Sequence, residues 1–149
     1  MTVILLASAV LLVLLCFGLH FVVLRKLSRL IKTPDPVIRR PLLVVVLSLF
    51  VVHLFEVFLY ALGFIVLSAL GAGGLDGNIQ AAGATFEEYF YFSIASYTTL
   101  GIGDIHPTGA IRSLAGIEAL NGLLLIAWSA SFTYLTMEQF WTDDDPSND

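Results

Sequence analysis

The sequence predicts an all-α membrane protein with three transmembrane helices and one short re-entrant helix. Its 149 residues are 58% apolar and only 13% charged, and the mean hydropathy is +0.90. Water-soluble domains do not have such a composition. Three long runs are nearly free of charge, and a bilayer core about 30 Å thick needs about 20 apolar residues per helix. The location expected is a plasma membrane or a bacterial inner membrane.

The first element is a helix over residues 1–24, a run without any charged residue. A cleaved signal peptide would have a basic start and a shorter apolar core, so this helix is predicted to be retained. Residues 25–40 follow and hold six of the seven basic residues around Pro34 and Pro36. The positive-inside rule makes this segment a cytoplasmic loop and places the N-terminus outside. The loop is a candidate binder of anionic lipid headgroups. Nucleic-acid binding is not expected, because acids dominate the rest of the chain.

A second helix is predicted over 42–68 and runs outward. It contains His53 and Glu56, three residues apart and therefore on one helical face. These two residues could be metal ligands, but the sequence offers no third ligand nearby. A buried, hydrogen-bonded pair is therefore favoured over a metal site. His20, near the cytoplasmic end of the first helix, is expected either to snorkel toward the membrane interface or to make a local hydrogen bond. The glycine-rich stretch that follows the second helix, 68–84, is predicted to be a flexible external loop.

The short helix is predicted over 86–97. Thr85 and Glu88 have the spacing of a capping box, in which each side chain accepts a hydrogen bond from the other's backbone N–H. About 12 apolar residues are too few to cross a bilayer, so the helix should enter and leave on one side. A third long run, 108–137, is predicted to return the chain to the cytoplasm, where an acidic tail, 139–149, ends it.

The segment between the short helix and the last helix, 98–107, is predicted to carry the chemistry. Non-helical backbone at membrane depth survives only when it is buried in protein or lines a water-filled cavity. Gly101 and Gly103 permit positive φ at every second residue, so successive carbonyls can face one axis. Rings of carbonyl oxygens can replace the hydration shell of an alkali cation. Four copies are needed to close such a ring, which predicts a homotetramer. The plain alternative for the two glycines is a tight turn in a helical hairpin.

The stretch Thr99-Leu100-Gly101-Ile102-Gly103, with Thr98 before it and Asp104 after it, resembles the selectivity filter of the potassium channel family. The resemblance covers the helix, loop and helix of residues 84–138 and places a pore module at 41–138. It implies that the carbonyls of Thr99, Leu100, Gly101 and Ile102, and the Thr99 hydroxyl, bind K⁺. It further implies a passive potassium channel, with no enzymatic activity and no cofactor other than the permeant ion.

Two departures from the family pattern bear on selectivity. Leu100 replaces the usual valine, and Ile102 replaces the usual tyrosine or phenylalanine, so aromatic bracing of the filter is missing at Ile102. A weakly selective monovalent cation channel is therefore one alternative, and a non-conducting membrane subunit with a vestigial pore loop is another. Neither of the first two helices has the regularly spaced arginines of a voltage sensor.

Three residues outside the filter are predicted to support or move the pore. Tyr91 stands where the family often has a tryptophan and is expected to donate a hydrogen bond to Asp104. Glu118 lies about ten residues into the last helix, where an ionised carboxylate is costly, and is expected to be paired or protonated beside Ser93 or Ser96. It would then support the filter in place of the glutamate that some family members have at the position of Ala95. Gly122 lies where many members have a hinge glycine, and close helix packing is the equal alternative.

Overall fold

The structure, a computed structural model of the chain, describes residues 2–32, 41–80 and 83–143. It contains four helices and two short strands in the described residues. In chain order they are α1 (Thr2–Lys32), α2 (Pro41–Ala69), β1 (Leu75–Gly77), α3 (Phe86–Tyr97), β2 (Ile105–Pro107) and α4 (Ile111–Asp143).

Three of the helices are long and apolar enough to cross a membrane. The candidate spans are Thr2–Ile31, Leu42–Ala69 and Ile111–Gln139. Much of their surface carries exposed leucine, valine and phenylalanine side chains, which suits contact with lipid rather than water. The chain is therefore a multi-pass membrane protein, as the sequence predicts.

The long helices alternate in direction around two apolar clusters. Leu5 and Ala9, near the start of α1, share a cluster with Phe64 and Leu67 near the end of α2. At the opposite end, Leu24 and Leu27 of α1 share the second cluster with Val45 and Leu49 of α2. The start of α1 therefore lies at the same end of the bundle as the segment between α2 and α4. Helix α3 packs between α2 and α4 at that end.

The glycine-rich segment after α2 is more ordered than predicted. Its strand β1 pairs antiparallel with β2, with Asp76 opposite His106. The pairing is extended by two backbone hydrogen bonds, from Asn78 N to the Asp104 carbonyl and from Thr108 N to the Gly74 carbonyl, both 2.8 Å. The interpretation of the whole of 68–84 as a flexible loop was wrong, because the partner strand lies about 30 residues away and leaves no local signal.

Helix boundaries differ from the predicted ones mainly where charges lie. The predicted helix 86–97 is confirmed as α3, and the predicted 42–68 is α2 with one residue more at each end. Helix α1 continues to Lys32, so the basic segment begins as helix and not as a loop at residue 25. Helix α4 continues to Asp143, into the predicted tail. The rest of the basic segment, 33–40, and of the tail, 144–149, lies outside the described residues.

Candidate ion-conduction site

The site begins at the N-terminus of α3, which the predicted capping box fixes. The Thr85 side chain accepts from Glu88 N at 3.4 Å, and Glu88 Oε2 accepts from Thr85 N at 2.5 Å. The other carboxylate oxygen of Glu88 accepts from Gln80 N at 3.0 Å. The bond from Thr85 N is the largest influence that lowers the pKa of Glu88, although partial desolvation opposes it. The carboxylate thus anchors both the helix start and the segment that precedes it.

The C-terminus of α3 is the anchor of the filter segment, residues 98–104. The last carbonyls of any helix lack partners within it. Here Ile94 O accepts from Thr98 N at 3.0 Å, Ser96 O accepts from Thr99 N at 3.0 Å, and Ala95 O accepts from Gly101 N at 3.2 Å. The Thr98 hydroxyl adds a bond of 2.7 Å to Ile94 O. These bonds fold the filter segment back over the end of α3.

The backbone of the filter segment alternates in handedness. Positive φ occurs at Thr99 (58°), Gly101 (56°) and Gly103 (85°), but not at Leu100 or Ile102 between them. Thr99 is the one non-glycine residue with positive φ in the described part of the chain. Such a conformation costs an L-residue about 1–2 kcal/mol. Alternation of this kind is what allows consecutive carbonyls to point toward the same side.

Asp104, at the end of the filter segment, is held from two directions. The Tyr91 hydroxyl donates to its carboxylate, with the phenol oxygen 3.1 Å from both Oδ1 and Oδ2. Ile105 N donates to Asp104 Oδ1 at 3.0 Å. Desolvation raises the pKa of the Tyr91 phenol, and the hydrogen bond and charge of Asp104 raise it further. The expected link between α3 and the acid beyond the filter is present.

Glu118 is fully buried, and it contacts α3 as expected. Its Oε1 lies 2.5 Å from the Ser93 Oγ, which in turn lies 2.8 Å from the Val57 carbonyl of α2. A serine hydroxyl has one hydrogen and cannot donate to both oxygens. A protonated Glu118 resolves this conflict, since it can donate to Ser93 while Ser93 donates to Val57. The three helices α2, α3 and α4 are thereby joined at one point.

The space behind the filter segment is not filled by Glu118. A pocket of about 210 Å³ lies there, lined in part by Tyr91, Ala95 and Ser96 of α3 and by Gly101. Glu118 is not among its lining residues within the described chain. The hypothesis that Glu118 takes over the filter-supporting role of a carboxylate at the position of Ala95 stays a prediction. Glu118 contacts α3 at Ser93, two residues before Ala95.

Gly122 of α4 lies against the last residue of α3. A Cβ atom at Gly122 would be 2.1 Å from the Tyr97 carbonyl oxygen and 2.9 Å from its carbonyl carbon. Both are backbone atoms, so neither could move aside without displacing the end of α3. Of the two interpretations of this glycine, the structure provides direct support for close packing.

Sequence reasoning missed one polar cluster, below α3 in the bundle. Glu56 and His53 make the expected contact, 3.1 Å between Oε2 and Nδ1. However, His20 does not bond locally, because its Nδ1 lies 3.0 Å from Glu56 Oε1. The expectation that no third potential ligand lies near His53 and Glu56 was thus wrong. A signal did exist: His20 lies 12 residues before the end of α1 and His53 lies 12 residues after the start of α2. At 1.5 Å per residue, both are about 18 Å from the facing ends of these antiparallel helices, Lys32 and Pro41.

Comparison with known protein families finds a match. The family model described as "Ion channel" matches residues 42–139, more than half of the chain. No curated protein and no solved structure gives a significant match. The matched region begins at α2, includes the capped short helix and the filter segment, ends within α4, and leaves α1 outside. The chain therefore belongs to the ion channel family of the two-transmembrane, potassium-channel type.

Proposed function

We propose that the protein is a passive, potassium-selective channel in which four copies bring their filter segments together around one axis. The observation that supports this most strongly is the alternating backbone at Thr99, Gly101 and Gly103. Carbonyls turned to one side by such alternation offer the neutral oxygen ligands that replace the hydration shell of K⁺. In this arrangement the carbonyls of Thr99, Leu100, Gly101 and Ile102, with the Thr99 hydroxyl, form the ion sites.

The exposure of the filter segment in a single chain supports assembly. Leu100 and Ile102 are 65% and 54% exposed, although α3 just before them is largely buried. Irregular backbone flanked by open apolar side chains would be unstable in lipid. Neighbouring copies of the chain would cover these side chains and leave only the carbonyls facing the axis. Closure by four copies gives the ring that K⁺ coordination needs.

Helix α3 supports cation entry by its direction. Its N-terminus is capped by Thr85 and its C-terminus meets the filter segment at Thr98. A helix carries about half a negative charge at its C-terminus. In a homotetramer, four such helix ends would point toward the inner end of the filter and stabilise a cation there.

A weakly selective cation channel is the second candidate, and Ile102 is the residue that favours it. Its aliphatic side chain has no hydrogen-bonding group with which to fix the outer part of the filter. A filter that is braced mainly through the bond between Tyr91 and Asp104 would hold its carbonyl positions less tightly. Size and flexibility of the carbonyl cage both influence the preference for K⁺ over Na⁺.

Flux from reconstituted liposomes tests the proposal. Purified protein in vesicles loaded with K⁺ should release K⁺ down its gradient and should discriminate against Na⁺ in a parallel assay. Equal K⁺ and Na⁺ flux would select the weakly selective channel. No flux of either ion from a correctly assembled tetramer would contradict conduction and indicate a non-conducting subunit.

We further propose that the filter opens to the outside and that the basic segment 25–40 and the C-terminus face the cytoplasm. The charge distribution supports this orientation through the positive-inside rule. Asp76→Cys in a Cys16→Ala background provides the test, because residue 76 is exposed in β1 and Cys16 is the one native cysteine. We expect an impermeant thiol reagent to label it from outside and to label Thr33→Cys only after the membrane is opened. The reverse pattern would contradict the orientation.

A further inference from the structure

Four side chains from three helices form a closed polar ring inside the bundle. His20 of α1, Glu56 and His53 of α2, and Ser129 of α4 are its members. His20 Nδ1 lies 3.0 Å from Glu56 Oε1, and His53 Nδ1 lies 3.1 Å from Glu56 Oε2. Ser129 Oγ lies 3.0 Å from His20 Nε2 and 2.9 Å from His53 Nε2. His20 and Glu56 are completely buried, and the His53 side chain is 19% exposed.

The polar ring has one hydrogen too few for its contacts when both histidines are neutral and Glu56 is ionised. A neutral histidine has one N–H, a serine has one O–H, and an ionised glutamate has no donor. The four contacts of the ring therefore share three hydrogens. In one contact, two acceptor atoms face each other without a hydrogen between them. Tyr97 does not remove the deficit. Its hydroxyl donates to Glu56 Oε2 at 2.5 Å but also lies 2.8 Å from His53 Nδ1.

We propose that the polar ring is a binding site for a divalent transition-metal ion such as Zn²⁺, with His20 Nδ1, His53 Nδ1 and the Glu56 carboxylate as ligands. One ligand atom from each of these three residues lies within 4.8 Å of those of the other two. Two histidines and one carboxylate are an established zinc ligand set, which leaves a fourth position open. The Tyr97 hydroxyl lies 2.8 Å from one of these ligand atoms, His53 Nδ1.

Metal binding removes the hydrogen deficit. A metal on both Nδ1 atoms fixes a hydrogen on both Nε2 atoms, and each Nε2–H then points at Ser129 Oγ. An oxygen with two lone pairs can accept both. Ligating histidines usually donate their second N–H to such an acceptor, which orients the ring. Ser129 therefore acts as a positioning residue for both ligands.

The site would join the N-terminal helix to the pore module. His20 comes from α1, which lies outside the matched family region, while the other ligands come from α2. Tyr97, which bonds to Glu56, immediately precedes Thr98 of the filter segment. A bound ion would thus fix α1 against the helices that hold the filter. This inference does not depend on ion conduction.

Metal content and spectroscopy of the purified full-length protein test the proposal. The protein should carry an affinity tag without histidines, be stripped with a chelator and then be titrated with Zn²⁺ at a fixed pH. We expect one tightly bound Zn²⁺ per chain by elemental analysis. Co²⁺ in place of Zn²⁺ should give the intense visible absorption of a four- or five-coordinate ion. Neither measurement requires flux. A failure of the metal-site proposal can therefore be told apart from a failure of the proposed channel function.

Matched variants locate the ion. His106, the third histidine of the chain, is exposed in β2, so His106→Ala should retain the full metal content. His20→Gln, His53→Gln and Glu56→Gln, which keep a polar side chain, should each lose most of it. Ser129→Ala should weaken binding by about 10- to 100-fold, as removal of a partner of a ligating histidine does.

Two results would overturn the proposal. The first is wild-type protein that shows neither stoichiometric Zn²⁺ nor the Co²⁺ absorption, which needs no variant to fold. The second is tight Zn²⁺ binding that the His20→Gln and His53→Gln double variant retains. In either case the polar ring would be a hydrogen-bonded structure that holds an extra proton instead of a metal.

Discussion

The filter segment and the polar ring are both polar structures inside a membrane protein, but they are built in opposite ways. The filter segment is contiguous, is proposed to act through its backbone oxygens and is largely exposed in the single chain. The polar ring uses side chains from α1, α2 and α4 and is almost completely buried. A backbone site depends on φ and ψ and hence on glycine. A side-chain site depends on helix packing. The two regions should therefore respond to different substitutions.

The largest effect is expected from Gly101→Ala. A Cβ at Gly101 meets no atom of its own chain within 4 Å, so within one copy the variant tests only the positive φ of 56°. That conformation costs alanine about 1–2 kcal/mol in each copy, and its relief would turn a carbonyl away from the axis. We expect loss of K⁺ flux in liposomes from a tetramer that still assembles.

Gly18→Ala is the control for Gly101→Ala. Gly18 also has open space around it, but it is helical and has no positive φ. It should therefore keep wild-type flux. Wild-type flux from Gly101→Ala as well would refute the carbonyl mechanism and with it the contrast between the two regions.

Gly122→Ala should have the next largest effect, because it alters packing rather than φ. Its Cβ would be 2.1 Å from the Tyr97 carbonyl oxygen. Overpacking typically costs about 1–3 kcal/mol, and displacement of Tyr97 would disturb the filter segment and the polar ring together. We expect a lower melting temperature of the tetramer and reduced flux.

Gly116→Ala, on the same helix with no atom within 4 Å of the added Cβ, should melt like the wild type. If Gly122→Ala matched it in both melting temperature and flux, the tight contact between α3 and α4 would not be required. A hinge role for Gly122 would then also lack support.

Glu118 allows a graded test of side-chain support for α3. Glu118→Gln keeps a donor for the Ser93 hydroxyl, whereas Glu118→Ala leaves a buried polar group without its partner, at a cost of about 1–3 kcal/mol. We expect the Gln variant to retain flux and the Ala variant to lose stability and flux. Any pH dependence that arises from ionisation of Glu118 should disappear in the Gln variant. Equal, wild-type behaviour of both variants across pH would show that the contact with Ser93 is dispensable.

Tyr91→Phe should have the smallest effect, because it removes one hydroxyl and leaves the ring in place. The lost bond to Asp104 frees the outer end of the filter segment. We expect a modest loss of K⁺ over Na⁺ selectivity at nearly unchanged tetramer stability, measured by paired flux assays. Phe90→Tyr, a neighbouring change on α3 that adds a hydroxyl, serves as the comparison and should not alter selectivity. Unchanged selectivity in Tyr91→Phe would mean that Asp104 does not need this bond.

The parts of this protein that the sequence determined are those governed by local rules. Hydropathy predicted three spans, the spacing of Thr85 and Glu88 predicted the start of α3, and the glycines at 101 and 103 predicted the alternating backbone. Each rests on chain length, capping or φ, which act over a few residues. The bond between Tyr91 and Asp104 was expected from the family resemblance, because Tyr91 stands where the family often has a tryptophan.

Only the tertiary structure decided which distant polar groups meet. His20 and Ser129 lie 109 positions apart, yet they share a hydrogen bond because α1 and α4 pack side by side. Strand β1 likewise has a partner only because the chain returns after α3. Buried polar groups in a membrane must find partners, so the sequence could show that His20 and Glu56 need one. Which partner each one has depends on helix rotation and depth, and these are set by the packing of the whole bundle.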